Sequence, residues 1–144
     1  MMAFLHKHLS KIIFPIGWTL VIAFLLTLPG SMIPSEPGFS IPQFDKIVHI
    51  SLFGGFVFLW NLYFSNRPFP VAKMLRIFFF IFVLADTYGI GMEYVQKYYI
   101  PMRDFSEGDI IADMIGAGLG YGISNILLIR RKETADGAGP GAKK

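Results

Sequence analysis

Residues 47–64 read IVHISLFGGFVFLWNLYF, an apolar stretch that contains no Asp, Glu, Lys or Arg. A transmembrane helix needs about 20 mainly apolar residues to cross the hydrocarbon core of a bilayer, and roughly 17–25 are tolerated. The stretch meets this requirement, and the polar turn Ser65–Pro68 ends it. It therefore predicts a membrane-spanning helix.

Three further stretches are mainly apolar and long enough to span: 12–28 (IIFPIGWTLVIAFLLTL), 74–95 and 110–129. The first has no charged residue, 74–95 contains Arg76, Asp86 and Glu93, and 110–129 contains Asp113. No small-x-small cleavage site follows the first of them, so we interpret it as a retained helix and not as a cleaved signal peptide. The prediction is an all-α fold, a four-transmembrane-helix bundle in a single domain over 1–132. The Gly-, Ala- and Lys-rich tail, 133–144, is predicted to be disordered.

The composition supports a membrane protein. Of the 144 residues, 53% are hydrophobic and only 16% are charged, whereas soluble domains carry about a quarter charged residues. This excludes a soluble enzyme. The net charge of +3 is too small to drive binding to a phosphate backbone, which excludes a nucleic-acid partner. The absence of Cys removes disulfides, thiolate nucleophiles and zinc–sulfur sites together.

The distribution of basic residues predicts the orientation. Ten of the thirteen Lys and Arg residues lie near the N-terminus, between the second and third stretches, or near the C-terminus, and the other three are Lys46, Lys97 and Arg103. Because loops rich in Lys and Arg stay on the cytoplasmic side, both termini are predicted to be cytoplasmic. The loops 29–46 and 96–109 are then outside.

Polar residues collect at this predicted outer face. Asp45 and His49 are four residues apart, as are Asp109 and Asp113, so each pair shares one helical face, and Asp86 shares a face with Glu93 seven residues later. Lipid cannot satisfy such groups, so we expect the three stripes to face one another inside the bundle. Small residues every four positions on the fourth stretch predict close helix contacts, in two rows: Ala112, Gly116, Gly120 and Ser124, and Gly118 with Gly122.

Two blocks of these residues carry a resemblance to a known family. They are Asp45-Lys46-x-x-His49, followed by Phe53 and Phe56, and Glu93-x-x-Gln96, followed by Arg103-x-x-Ser106-x-x-Asp109, Gly116 and Gly120. The chain resembles the VanZ-like family of small bacterial integral membrane proteins over about 12–129. The family usually has Asn where this chain has Asp113. The resemblance implies a multi-pass protein of the bacterial cytoplasmic (inner) membrane and a theme of resistance to the glycopeptide antibiotic teicoplanin, which acts on lipid-linked cell-wall precursors. It implies no particular reaction.

The hypothesis from residues and resemblance together is that the protein binds a phosphate-bearing lipid or lipid-linked precursor at its outer face, with processing of that ligand as an open extension. Arg103 offers a planar fork suited to phosphate, and His49 has an ordinary pKa near 6.5 that suits proton transfer, with Asp45 one turn away to orient it. The candidate catalytic residues are His49, Glu93, Asp45 and Asp109; the candidate substrate-binding residues are Arg103, Gln96, Lys46 and Asp113.

The same residues allow a structural alternative, in which the protein is a non-catalytic membrane accessory or scaffold held together by its polar cluster. Asp45 is then a helix cap, Asp86 is protonated and hydrogen-bonded to a neighbouring helix, and Arg103 pairs with Glu93 or with a nearby acid, namely Asp104, Glu107 or Asp109. Transport through the bundle is a weaker third interpretation, suggested by Asp86.

We predict no cofactor. A divalent-cation site nevertheless remains an open alternative, because the cluster offers oxygen and nitrogen ligands but no recognised metal-binding spacing. Its ligands would come from Asp45, His49, Glu93, Asp109 and Asp113. The lipid bilayer is the expected partner, and the oligomeric state is left open.

Overall fold

The computed structural model describes residues 11–32 and 44–137, and most of them are helical. Four main helices follow one another: α1 (Ile13–Leu26), α2 (Phe44–Ser65), α3 (Val71–Tyr99) and α4 (Glu107–Ser124). A five-residue π-helical segment, Asn125–Ile129, joins α4 to a short α5 (Arg130–Gly137), so that one helix runs on from Glu107. The described residues contain no strand, and the all-α prediction is confirmed.

Three of these helices are long and apolar enough to cross a membrane: α2, α3 and the helix Glu107–Ala135. The 14 residues of α1 span only about 21 Å at 1.5 Å per residue, less than the roughly 30 Å of a hydrocarbon core. The helix ends before the predicted 28 because Pro29 follows closely and disfavours a helical backbone in the residue before it. The helices are those of a multi-pass membrane protein, with three spans of sufficient length in the described part of the chain.

Local sequence signals fix the ends of α3 and α4, which both extend beyond the predicted 74–95 and 110–129. Pro70, in an extended conformation, immediately precedes α3, and Pro101 follows just after its end. The side chain of Ser106 caps α4, since its hydroxyl accepts a hydrogen bond from the backbone N–H of Asp109 at 3.2 Å.

The prediction of a disordered tail from residue 133 is wrong for 133–137, which are helical. Extending an existing helix costs no new nucleus, and each added residue gains a hydrogen bond. The Thr134 hydroxyl also donates to the Arg130 carbonyl at 2.9 Å. The remainder of the predicted tail, 138–144, lies outside the described residues, as do Lys7 and much of the loop 29–46.

The distribution of side chains is the reverse of that in a soluble protein. Large apolar residues are exposed on the outside of α1, α3 and α4, for example Leu20, Phe24, Phe80 and Ile111. The interior holds a set of buried polar residues beside its apolar core: His49, Asn61, Glu93, Gln96, Asp109, Asp113 and Ser124. Lipid can solvate the apolar exterior, whereas polar groups need partners inside the bundle.

α2 and α4 approach each other closely along the first row of small residues. Gly116 lies against the backbone of Ile50, and a Cβ added to Gly120 would be 2.5 Å from the Gly54 carbonyl oxygen. Ala112 and Ser124, the ends of the row, are buried as well. The prediction that the second row also makes a close helix contact is wrong, because a Cβ added to Gly118 or Gly122 would meet no described atom within 4 Å.

Hydrogen bonds to backbone carbonyl oxygens attach α1 to the other helices. Trp18 Nε1 donates to the Leu52 carbonyl of α2 at 2.8 Å, and Gln96 Nε2 donates to the Leu26 carbonyl at 2.8 Å. The second bond places the C-terminal ends of α1 and α3 together. They lie at the same end of the bundle as the N-terminal ends of α2 and α4, which we call the polar end.

The glycine contact between α2 and α4 can be tested with alanine. Gly116→Ala should lower the free energy of unfolding by about 1–3 kcal/mol, because the new methyl group overlaps the Ile50 backbone and forces the helices apart. Gly122→Ala, on the open face of the same helix, is the matched control and should be neutral or slightly stabilising. Unfolding of the purified protein in detergent measures both, and equal effects of the two variants would contradict the packing described.

Candidate functional site

The centre of the polar end is a buried pair between α2 and α4. His49 Nδ1 lies 2.8 Å from Asp113 Oδ1, and each residue is only 2% exposed. On its other side Asp113 faces α3 at Gly89, where an added Cβ would be 2.7 Å from Asp113 Oδ2. Asp113 therefore connects α2 with α4 and fills the space that Gly89 leaves open.

The partner of His49 differs from the prediction. Asp45 does share a helical face with His49, but Asp45 Oδ1 is 4.0 Å from His49 Nε2, beyond hydrogen-bonding distance. The prediction that Asp45 orients the imidazole is therefore wrong, and Asp113 has that role. A neutral His49 that donates its Nδ1–H to Asp113 keeps Nε2 as an acceptor. Among the described residues, Nε2 forms no hydrogen bond.

Lys46 connects α2 with the start of α4. Its ammonium forms an ion pair with Asp109 and lies 3.4 Å from both Asp45 Oδ2 and the Ser106 hydroxyl. The Lys46 side chain is 31% exposed and that of Asp45 54%, whereas Asp109 is buried. The group thus extends from the buried interior to the surface at the polar end.

Glu93 and Gln96 hold the segments around the polar end in place. Glu93, 1% exposed, accepts a hydrogen bond from the Ser106 backbone N–H at 2.9 Å. Gln96, 2% exposed, binds the Leu26 carbonyl of α1. Both residues were predicted to act on a ligand, and the structure gives both of them contacts within the fold.

Arg103 lies in the short loop between α3 and α4, and this loop is anchored on both sides. Gly30 N donates to the Pro101 carbonyl at 3.1 Å, Ser106 N donates to Glu93, and Met102 adopts a left-handed conformation with φ of 59°. Left-handed backbone is uncommon for a residue with a side chain and indicates that the anchored loop constrains it.

Arg103 itself has no counter-ion among residues 11–32 and 44–137. It forms no ion pair with any described acid, and its Nε is buried without a hydrogen-bond partner. The predicted pairs with Glu93, or with Asp104, Glu107 or Asp109, are therefore wrong. Their nearness in sequence did not bring them together, because Glu93 is engaged by Ser106 and Asp109 by Lys46.

Asp86 remains apart from the cluster's hydrogen bonds. It is half-buried on α3, and its Oδ1 has no partner among the described residues. The structural alternative, a hydrogen bond from Asp86 to a neighbouring helix, is not present among the described residues.

Two features were not predicted from the sequence: the capping and bridging role of Ser106, and the space at Gly89 that admits Asp113. The Ser-x-x-Asp spacing before an apolar run is a signal for the former.

A partly open apolar cavity of about 450 Å³ lies farther along the bundle. Residues from α1, α2 and α3 line it, including Thr19, Phe56, Trp60, Ile77, Phe80 and Leu84. Phe56 is seven residues from His49, which corresponds to about 10 Å along α2. The cavity thus starts within the apolar interior, about two helical turns from the polar end.

The His49–Asp113 pair yields a prediction about stability. Asp113→Ala should lower the free energy of unfolding by about 3 kcal/mol or more, because it leaves the buried imidazole without its partner. Asp113→Asn keeps a carbonyl oxygen that can accept from Nδ1–H, and its loss should stay below about 1.5 kcal/mol. Unfolding in detergent compares the two, and an equal loss for both variants would show that the hydrogen bond does not stabilise the bundle.

No protein-family model matches the chain, and neither a curated protein nor a solved structure matches it significantly.

Proposed function

We propose that this protein binds a phosphate-bearing membrane lipid, or a lipid-linked precursor of the same chemistry, with the anionic headgroup at Arg103. The observation that carries the proposal is the unpaired guanidinium of Arg103. Five acidic residues lie within ten positions of it in the sequence, yet none of them forms an ion pair with it. An unpaired cation with a buried, unsatisfied N–H favours an external anion, since charge-assisted bonds to phosphate are strong and often bidentate.

The apolar cavity supports a lipid as the source of that anion. Its lining is almost entirely apolar, and only Thr19 contributes a hydroxyl, which is already engaged by Trp60 Nε1 at 3.2 Å and by the Pro15 carbonyl. A headgroup at the polar end would leave an acyl chain free to extend along the bundle into this cavity. A soluble phosphate compound has no acyl chain that could occupy the cavity.

Processing of the ligand is the further step of the same proposal. His49 is the residue best placed for proton transfer, because Asp113 fixes its ring while Nε2 forms no hydrogen bond to the described residues. Glu93, Asp109 and Gln96 have contacts within the fold and serve in positioning. The resemblance to the VanZ-like family suggests the bacterial cytoplasmic membrane as the location and cell-envelope chemistry as the setting.

A scaffold protein without a ligand is the second candidate, and a specific observation favours it. Most buried polar residues of the cluster connect two segments of the fold: His49 with Asp113, Lys46 with Asp109, Glu93 with Ser106 and Gln96 with Leu26. A network of this kind is sufficient to hold the helices together and needs no ligand. Arg103 distinguishes the two candidates, because it forms no bond in that network.

Loss of lipid binding in Arg103→Ala tests the proposal. The purified protein in detergent is titrated with phosphatidylglycerol, and native mass spectrometry measures the bound fraction. Arg103→Ala should weaken binding about tenfold, equivalent to about 1.4 kcal/mol, while the unfolding temperature stays unchanged because Arg103 forms no ion pair within the described part of the chain.

Lys97→Ala is the matched control, since it removes a positive charge at the same end from an exposed side chain that contacts the rings of Tyr98 and Phe105. It should weaken binding by much less. Diacylglycerol, which lacks phosphate, should not bind at Arg103. Equal binding by the wild type and Arg103→Ala would favour the scaffold.

We further propose that the chain crosses the membrane four times with both termini cytoplasmic, the polar end facing outward. The N-terminal end of α1 and the C-terminal end of α4 both lie away from the polar end, which supports termini on one side. The basic residues Arg130, Arg131 and Lys132 follow the fourth apolar stretch, as expected for a cytoplasmic end.

Reporter fusions test this orientation. Alkaline phosphatase fused after Lys144 should be inactive, and a fluorescent reporter that matures only in the cytoplasm should be active. The same reporters fused after Arg103 should give the opposite result. An active phosphatase at the C-terminus would place the polar end on the cytoplasmic side.

A further inference from the structure

We propose that Asp45, His49 and Asp109 form a binding site for a divalent cation of the Mn²⁺ or Zn²⁺ class, with Asp113 as the residue that positions His49. The inference does not depend on a lipid ligand. It arises from the geometry of the three side chains, the free nitrogen of a buried imidazole and the charge of the cluster.

The geometry fits one ion. One ligand atom from each of Asp45, His49 and Asp109 can be chosen so that all three lie within 4.8 Å of one another. The ligand atoms of a tetrahedral site with bonds of about 2.0–2.2 Å are roughly 3.4 Å apart. Side-chain rotations would have to bring the three atoms to that spacing, and the 54% exposed side chain of Asp45 has the most room to rotate. The set combines one nitrogen with carboxylate oxygens, and a mixed set of this kind suits Mn²⁺ and Zn²⁺ better than Mg²⁺ or Ca²⁺.

The buried imidazole is already arranged as a ligand. Metal-binding histidines almost always donate their other ring N–H to a carboxylate, carbonyl or water, which fixes the ring and raises its basicity. Here Asp113 holds His49 Nδ1 at 2.8 Å, both side chains are almost fully buried, and Nε2 on the opposite side has no hydrogen bond to any described residue. His49 Nε2 lies 4.0 Å from Asp45 Oδ1, and a cation between these two atoms would use the lone pair that Nε2 keeps.

Lys46 marks the position where positive charge is stabilised. Its ammonium pairs with Asp109 and lies 3.4 Å from Asp45, the two carboxylates of the site. The cluster holds four carboxyl groups, those of Asp45, Glu93, Asp109 and Asp113, and Lys46 is the one Lys or Arg that forms an ion pair with any of them in the described residues. A divalent ion compensates more of that charge, and the partly exposed, flexible Lys46 side chain can swing outward to admit it.

The metal alone is the probe for the test. The full chain, purified in detergent and treated with a chelator, is titrated with Mn²⁺ while electron paramagnetic resonance measures the free ion. The expected result is one bound Mn²⁺ per chain, displaced by Zn²⁺. Asp45→Asn should weaken binding at least tenfold without loss of folding, because Asp45 is exposed and its ion pairs with described residues are those with Lys46 and His49.

Three further variants separate a metal site from a structural network. His49→Ala should abolish binding, and Asp113→Asn should weaken it 10–100-fold, as loss of the carboxylate behind a ligating histidine does. Lys46→Met should tighten binding, because it removes the competing ammonium. If the cluster is only a structural network, Lys46→Met should give no gain in affinity for Mn²⁺ and should make the protein less stable.

Asp104→Asn is the control for unspecific attraction, since Asp104 is an exposed acid in the loop at the same end and belongs to no ion pair of the described residues. It should bind Mn²⁺ like the wild type. Absence of stoichiometric binding in the wild type, or equal weakening by Asp104→Asn and Asp45→Asn, would overturn the inference.

Discussion

The close approach of α2 and α4 determines the arrangement of the polar end. Gly116 rests against the Ile50 backbone and Gly120 against Gly54, so the two helices pack backbone to backbone. Between membrane helices no hydrophobic drive exists, and dispersion contacts between small residues take its place. His49 precedes Ile50 directly, and Asp113 lies one turn before Gly116. The glycine contact therefore also sets the distance at which the imidazole meets the carboxylate.

Most polar groups at this end are satisfied by a partner on another segment of the chain. Such pairing is expected in apolar surroundings, where an unpaired polar atom costs several kcal/mol. The exceptions are consequently the informative residues. Among the described residues, the buried Nε–H of Arg103 has no acceptor and Nε2 of His49 forms no hydrogen bond. One is suited to an anion and the other to a proton or a cation, and both lie at the end of the molecule that carries the acids.

Helical periodicity was sufficient to predict the convergence of His49, Glu93, Asp109 and Asp113 at one end and the tight row of small residues on α4, but Asp86, which it placed in the same group, lies apart. It could not predict which carboxylate holds His49. Spacing along one helix indicates Asp45, but Asp113 on another helix is closer, and that depends on the axial offset between α2 and α4. The absence of an ion pair at Arg103 was equally hidden, because Glu93 and Asp109 are engaged by Ser106 and Lys46, in contacts between segments that spacing along one helix does not reveal.

The unequal lengths of the helices have a consequence for the host bilayer. α2 has 22 residues and α3 has 29, or about 33 Å and about 44 Å of helix. Both cannot match one hydrocarbon thickness while standing upright, so α3 must tilt or reach into the headgroup layers. The exposed rings of Tyr94, Tyr98 and Tyr99 suit that layer. Hydrophobic mismatch costs fractions of a kcal/mol per Å. The tilt of α3 should therefore change with the thickness of the bilayer.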